Sequence, residues 1–165
     1  METVYIETTV VSYLVATQSR EVVTAGQQQA TRDWWTRRRN SFYCMVSQET
    51  LAEAERGDTE QAALRLAALA GLPVVPIAQE AERLAADFLR TGALPASARS
   101  DAIHLAVASF VQADYLLTWN CRHLANAQII RRLEREAVRA GWNLPTVCTP
   151  PELMGDLTYG TQSDS

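Results

Sequence analysis

The sequence predicts a three-layer α/β domain built around a mostly parallel sheet. Three observations lead there. Short apolar, β-rich runs alternate with segments of helical period, which is the pattern of a sheet covered by helices. The chain has 165 residues, 47% of them apolar and 21% charged, a composition that fits one compact core. No internal repeat or long linker divides it, so residues 1–155 are expected to form a single domain and the polar stretch 156–165 a loose tail.

Val4-Tyr5-Ile6 is the first apolar run and ends at Glu7. Thr8 to Leu14 then reads as a helix, because the apolar positions change from a continuous run to a helical spacing. A polar segment from Ala16 to Glu21 leads into a second helix through Gln27 to Arg39, with one wet face. Phe42 to Val46 is the next strand. Ser47 opens a helix as an N-cap hydroxyl in SQET, and Gly57-Asp58 stops it. Glu60 to Ala70 is an Ala- and Leu-rich helix closed by Gly71, and Pro73 to Pro76 frames a short strand.

Gln79 to Arg90 repeats the helical period, with Ala81, Leu84, Ala85 and Phe88 on one face, and Gly92 closes it. Asp101 to Ala108 is almost wholly apolar after its first residue, so the centre of that helix must be buried. Tyr115 to Thr118 is a buried strand, Ile129 to Ala140 an amphipathic helix, and Thr146 to Cys148 the last strand.

Composition excludes several chemistries. All basic residues are arginine. A phosphate loop of the GK[ST] type, a Schiff-base lysine and a kinase-type phosphate-pairing lysine are therefore absent. There is no GxSxG or GxGxxG. Three separated cysteines without a CxxC pair suggest reduced thiols rather than a disulfide framework or a zinc knuckle. With two histidines, His104 and His123, a metal would be held mainly by oxygen, which points to Mg2+ or Mn2+. No apolar run reaches the ~20 residues of a bilayer span, and METVYIETTVV lacks a basic stretch ahead of an apolar one, so a cytoplasmic protein with no membrane contact is expected.

The net charge of −4 argues against coating nucleic acid by charge alone. Arginines gather at Arg37 to Arg39, beside Trp34 and Trp35, and at Arg131, Arg132, Arg135 and Arg139. Either set could touch phosphates or form a solvated or partner-facing surface. The tryptophan pair could stack on bases or pack in a core.

Strand ends carry the chemistry in an open parallel sheet, where ligands lie outside the carboxyl ends. Glu7 follows the first strand, Asn120 follows the Tyr115 strand, and Asp101 starts the buried helix before it. Glu49 and Glu53 share one helix face and compete to add a carboxylate. Distant acidic and amide positions can thus meet at one edge.

Here the residues resemble a family. YIETTVVSYL is similar to the opening of PIN-domain proteins, SQETLAEAERG to their second acidic helix, SDAIHLAVA to their central acid with its buried helix, and DYLLTWNCRHL to their closing strand and T-x-acid turn. The likeness runs from Val4 to Leu124 in the family's order and is strongest to VapC-type toxins of bacterial toxin–antitoxin modules. The resemblance implies a three-layer α/β/α fold and Mg2+- or Mn2+-dependent hydrolysis of RNA. It further implies a cognate antitoxin partner and a homodimer. Glu7, Glu53 and Asp101 would be the catalytic, metal-binding acids, with Asn120 in a fourth position. Two positions depart from the pattern: Glu7 stands where an Asp is common, and Asn120 where an Asp is usual. They leave open a second implied reading, a PIN-fold binding or regulatory protein with weakened or lost nuclease activity.

Secondary candidates are Thr9 and Thr118, whose hydroxyls could orient a ligand or simply cap; Glu49; His123, at the pocket rim or the surface; and Arg122, which could assist at RNA phosphates. His104, one turn after Asp101 in an apolar helix, reads as a satisfied core histidine.

Overall fold

The structure, a computed structural model, describes residues 1–155; the expected tail lies outside the described residues. The chain runs β1 (Thr3–Ile6), α1 (Thr8–Val15), α2 (Val22–Arg37), β2 (Tyr43–Ser47), α3 (Gln48–Ala54), α4 (Thr59–Leu69), β3 (Val74–Val75), α5 (Gln79–Arg90), α6 (Arg99–Phe110), β4 (Tyr115–Leu117), α7 (Ala127–Arg139) and β5 (Thr146–Cys148). The five strands form one parallel sheet in the order β3-β2-β1-β4-β5. β1 is central: Tyr5 stands in register with Met45 on one side and Leu116 on the other.

Alternation along the strands sorts the core into two layers. Val4, Ile6, Cys44, Val46 and Leu117 face α1 to α4, where Val10, Val11, Trp34, Ala54 and Leu69 meet them. Tyr5, Met45 and Leu116 face the other way, against α5, α6 and α7. α6 is buried continuously from Ala102 to Ser109, as its near absence of polar residues requires. Trp34 is fully buried and stacks on Phe42, so it fills the core rather than offering a base-stacking surface. Trp35 is half-buried beneath the Arg39 guanidinium, 4.7 Å from its ring.

α2 begins at Val22, five residues before the expected Gln27. Glu21 sets that start by accepting the backbone N–H groups of Val23 and Thr24, which outweighs the modest helix propensity of two valines and Gly26. Cys44 and Cys148 are buried, and burial pushes their thiols up to about 11 and about 12, so both stay protonated at neutral pH. Among the described residues no helix is long and apolar enough to cross a membrane.

The chain passes outward from β1 through β2 to β3 and then returns to β4 on the other flank of β1. That reversal makes the carboxyl ends of β1 and β4 a topological switch point, where open α/β sheets bind ligands. The candidate acids lie around it.

Candidate active site

Glu7 leaves β1 and caps α1. Its backbone N–H continues the ladder to the Leu117 carbonyl at 3.0 Å, while its Oε2 accepts the Thr9 N–H at 3.1 Å, the Thr9 hydroxyl, and the Thr118 hydroxyl at 2.8 Å. The residue is 2% exposed. Donors and the positive end of α1 make a buried carboxylate tolerable there. Burial nonetheless lifts its pKa above the usual 4.5; His104, Thr9 and Thr118 offset this only in part. All these hydrogen bonds fall on Oε2, and Oε1 carries none among the described residues.

Ser47, the last residue of β2, starts α3 with a capping box: its hydroxyl accepts the N–H groups of Glu49 and Thr50, and Thr50 Oγ1 accepts the Ser47 N–H. This fixes the face on which Glu49 and Glu53 sit, and the two then part. Glu49 is buried and accepts a hydrogen bond from the Ser100 hydroxyl at 2.5 Å, tying α3 to the start of α6. Glu53 Oε1 accepts the Thr8 hydroxyl at 2.8 Å and pairs with His104 Nε2. Burial works to raise the Glu53 pKa, but His104, Thr8 and Arg56 together bring it below 4.5.

His104 is fully buried. Its Nδ1 lies 2.7 Å from the Tyr5 hydroxyl, which in turn lies 2.6 Å from Ser47 Oγ. Burial opposes the imidazolium, yet Tyr5, Glu53 and Glu7 outweigh it and hold the pKa well above 6.5. The ring is thus a satisfied core histidine as read, and it also reaches the acids. One carboxylate oxygen of Glu7, one of Glu53 and a ring nitrogen of His104 lie within 4.8 Å of one another. Among the described residues this is the one such group of three potential ligands.

Asp101 lies one turn earlier on α6, in its first turn. Its Oδ1 accepts Asn120 Nδ2 at 2.9 Å, and its Oδ2 pairs with His123 Nδ1 at 2.8 Å. Asn120 also accepts the His123 N–H at 3.0 Å through Oδ1, and its own N–H donates to Thr118 Oγ1 at 2.9 Å. Thr118, fully buried, therefore joins Glu7 to the Asn120 loop. Thr9 adds a second tie by accepting the Trp119 N–H at 2.8 Å. Arg122 is exposed on the same loop.

The structure therefore brings Glu7 and Glu53 together with His104, and Asp101 together with Asn120 and His123, the two groups linked through Thr118. Sequence reasoning missed the site positions of His104 and Tyr5. A signal existed for each: His104 is one turn from Asp101, and Tyr5 is the one hydroxyl between two aliphatic residues of a buried strand. A surface concavity of about 420 Å³ is lined by Ala127, Gln128, Ile130, Arg131 and Glu134 and by none of these acids. It lacks the convergent titratable groups of a reactive site.

Two carboxylates and an imidazole, each with a held orientation, form a donor set that suits a divalent cation. No protein-family model matches the sequence, and no curated protein matches it. Among solved structures the chain is similar to VapBC2 from Rickettsia felis bound to a DNA fragment from their promoter, with a TM-score of 0.52 and 13% identity over 89% of this chain and 98% of that one. The likeness is one of fold: a three-layer α/β/α domain around a parallel five-stranded sheet.

Proposed function

We propose that the protein is a metal-dependent endoribonuclease of the VapC toxin type, neutralised by a cognate antitoxin. The observation that carries this reading is the convergence of Glu7, Glu53 and His104 at the carboxyl edge of the central strand, with Asp101 one turn away. The likeness to the VapBC2 complex supports the toxin–antitoxin setting.

In this reading Glu7, Glu53 and Asp101, with Asn120 beside them, hold Mg2+ or Mn2+. When bound, the ion neutralises the scissile phosphate, acidifies an attacking water and stabilises the leaving oxygen. Thr9 and Thr118 fix the Glu7 carboxylate. His123 and Asn120 fix Asp101. Arg122, exposed beside Asn120, meets RNA phosphates that an acidic cleft alone would repel. Glu49 supports the site through Ser100. The protein works in the cytoplasm as a homodimer, and static light scattering at tens of micromolar should return twice the 18.3 kDa chain mass.

The decisive variant is Asp101→Asn, which keeps size and capping ability and removes the charge. It should fold with near-unchanged stability and lose at least ~100-fold of metal-dependent RNA cleavage. Parental cleavage rates in Mn2+ from this variant would remove the nuclease assignment of this cleft. One feature favours a second reading, a binding protein without efficient cleavage: Asn120 supplies no charge and uses its amide on Asp101 and His123. A parent that cleaves no RNA yet binds an antitoxin-like partner would establish that alternative.

A further inference from the structure

Two histidines lie near the carboxylates, and their surroundings differ. His123 pairs with Asp101 at a half-exposed loop, with 18% of its side chain accessible. His104 is fully enclosed, and both of its ring nitrogens are engaged: Nδ1 with the Tyr5 hydroxyl and Nε2 with Glu53. A metal-ligating histidine has this arrangement, in which one nitrogen faces the ion and the other is hydrogen-bonded to a group that fixes the ring. Tyr5 is well suited to that role. It is fully buried on β1, contacts the ring edge-on at a centroid distance of 5.8 Å, and is itself held by Ser47 Oγ.

The carboxylates are arranged to match. The hydrogen bonds to Glu7 fall on Oε2, and those to Glu53 fall on Oε1. Each acid thus has one anchored oxygen and another that carries no hydrogen bond among the described residues. Glu7 as a whole is 2% exposed, and its second oxygen is available to a cation.

Resting on the reading that this cleft holds a divalent cation, we infer that His104 Nε2 is a ligand and that the site prefers Mn2+, or another first-row transition ion, over Mg2+. Mg2+ demands near-ideal octahedral oxygen coordination and keeps its waters, whereas affinity for a site containing nitrogen rises along the first-row transition ions from Mn2+ onward. His104 Nε2 faces Glu53 Oε1. A bound ion would take the place of that contact, with the displaced proton released to solvent and His104 and Glu53 both serving as ligands.

Pulsed electron paramagnetic resonance of the full chain loaded with Mn2+ alone tests this. The wild type should show nitrogen modulation from a coordinated imidazole, and labelling histidine with nitrogen-15 should replace that pattern. His123→Gln should keep it; His104→Gln should lose it and weaken Mn2+ binding at least ~10-fold in calorimetry, with little change toward Mg2+. Tyr5→Phe, which keeps the ring but frees Nδ1, should keep the modulation and weaken Mn2+ binding by about 10-fold. Bound Mn2+ without nitrogen modulation overturns the inference and leaves the metal reading standing. Modulation that disappears in His123→Gln overturns it in favour of the other histidine. Absence of any Mn2+ binding at millimolar concentration overturns both. The wild-type and His123→Gln spectra leave the buried ring untouched, so the result does not depend on whether His104→Gln folds.

Discussion

Two acid–imidazole pairs sit one helical turn apart on α6, and they behave as different devices. His104, fully buried, pairs with Glu53, whose side chain is 24% exposed, between β1, α3 and α6; Asp101 and His123, 15% and 18% exposed, meet at the helix start against the loop after β4. In the inner pair burial opposes both charges, yet their partners outweigh it, so the Glu53 pKa falls and the His104 pKa rises. In the outer pair, Asp101 acts as the fastening point of a loop, taking one hydrogen bond from Asn120 and one contact from His123. The same two residue types thus build a charge-coupled pair around a buried imidazole in one place and a loop fastening in the other.

The largest expected effect compares the two halves directly. Glu7→Gln at the inner group should lower RNA cleavage as severely as Asp101→Asn does, by at least ~100-fold, because each removes a full charge from the cation's surroundings. Unequal losses in a single-turnover assay would show which half carries the chemistry. Asn120→Asp acts on the clasp. It removes the donor to Asp101 and sets two carboxylates face to face, so the metal-free protein should melt lower while Mn2+ binds about 10-fold more tightly in calorimetry.

A pH series on the metal-free protein probes the inner half. The His104 pKa is raised on folding, so its contribution is fully present below about 6.5 and disappears as pH climbs through the raised value. Glu7, also raised, acts in the same direction from 4.5 upward. Glu53, lowered, contributes above 4.5 and loses that contribution as pH falls. The melting temperature should therefore decline as pH rises above about 6.5. His104→Gln should flatten that limb. The smallest effect is at the bridge: Thr118→Val, nearly isosteric, removes one donor to Glu7 and one acceptor for Asn120, and should cost about 1–3 kcal/mol in urea unfolding.

The layered fold was legible because its signals are local. Gln79–Arg90 and Thr146–Cys148 match their expected bounds, one by helical period with a glycine stop and the other by a short β-rich run. The candidate acids were legible as well, since each sits at a strand end or in a helix's first turns within a recognisable order of residues. What escaped was pairing across the chain. Periodicity shows that the face bearing His104 is buried, but Glu53 is 51 positions away and Tyr5 is 99, and no local pattern encodes those meetings. The same limit applies to α2: the Trp34-Trp35 segment read as equally apolar at both positions, and only packing against Phe42 turned the first of them inward.

The central place of β1 carries a consequence for how the protein is made. Its partner β4 begins at Tyr115, and Thr3 is closed against Asp114, a separation of 111 residues. At roughly 5–20 residues per second, the strand that begins the chain waits on the order of 5–20 s of synthesis before its second neighbour exists. Thr118, which completes the Glu7 cradle, arrives only after that interval. A nascent chain that ends before Thr118 therefore lacks the complete Glu7 cradle. An apolar strand left half-paired for that time is the point at which pairing with another chain would act earliest, before that cradle has formed.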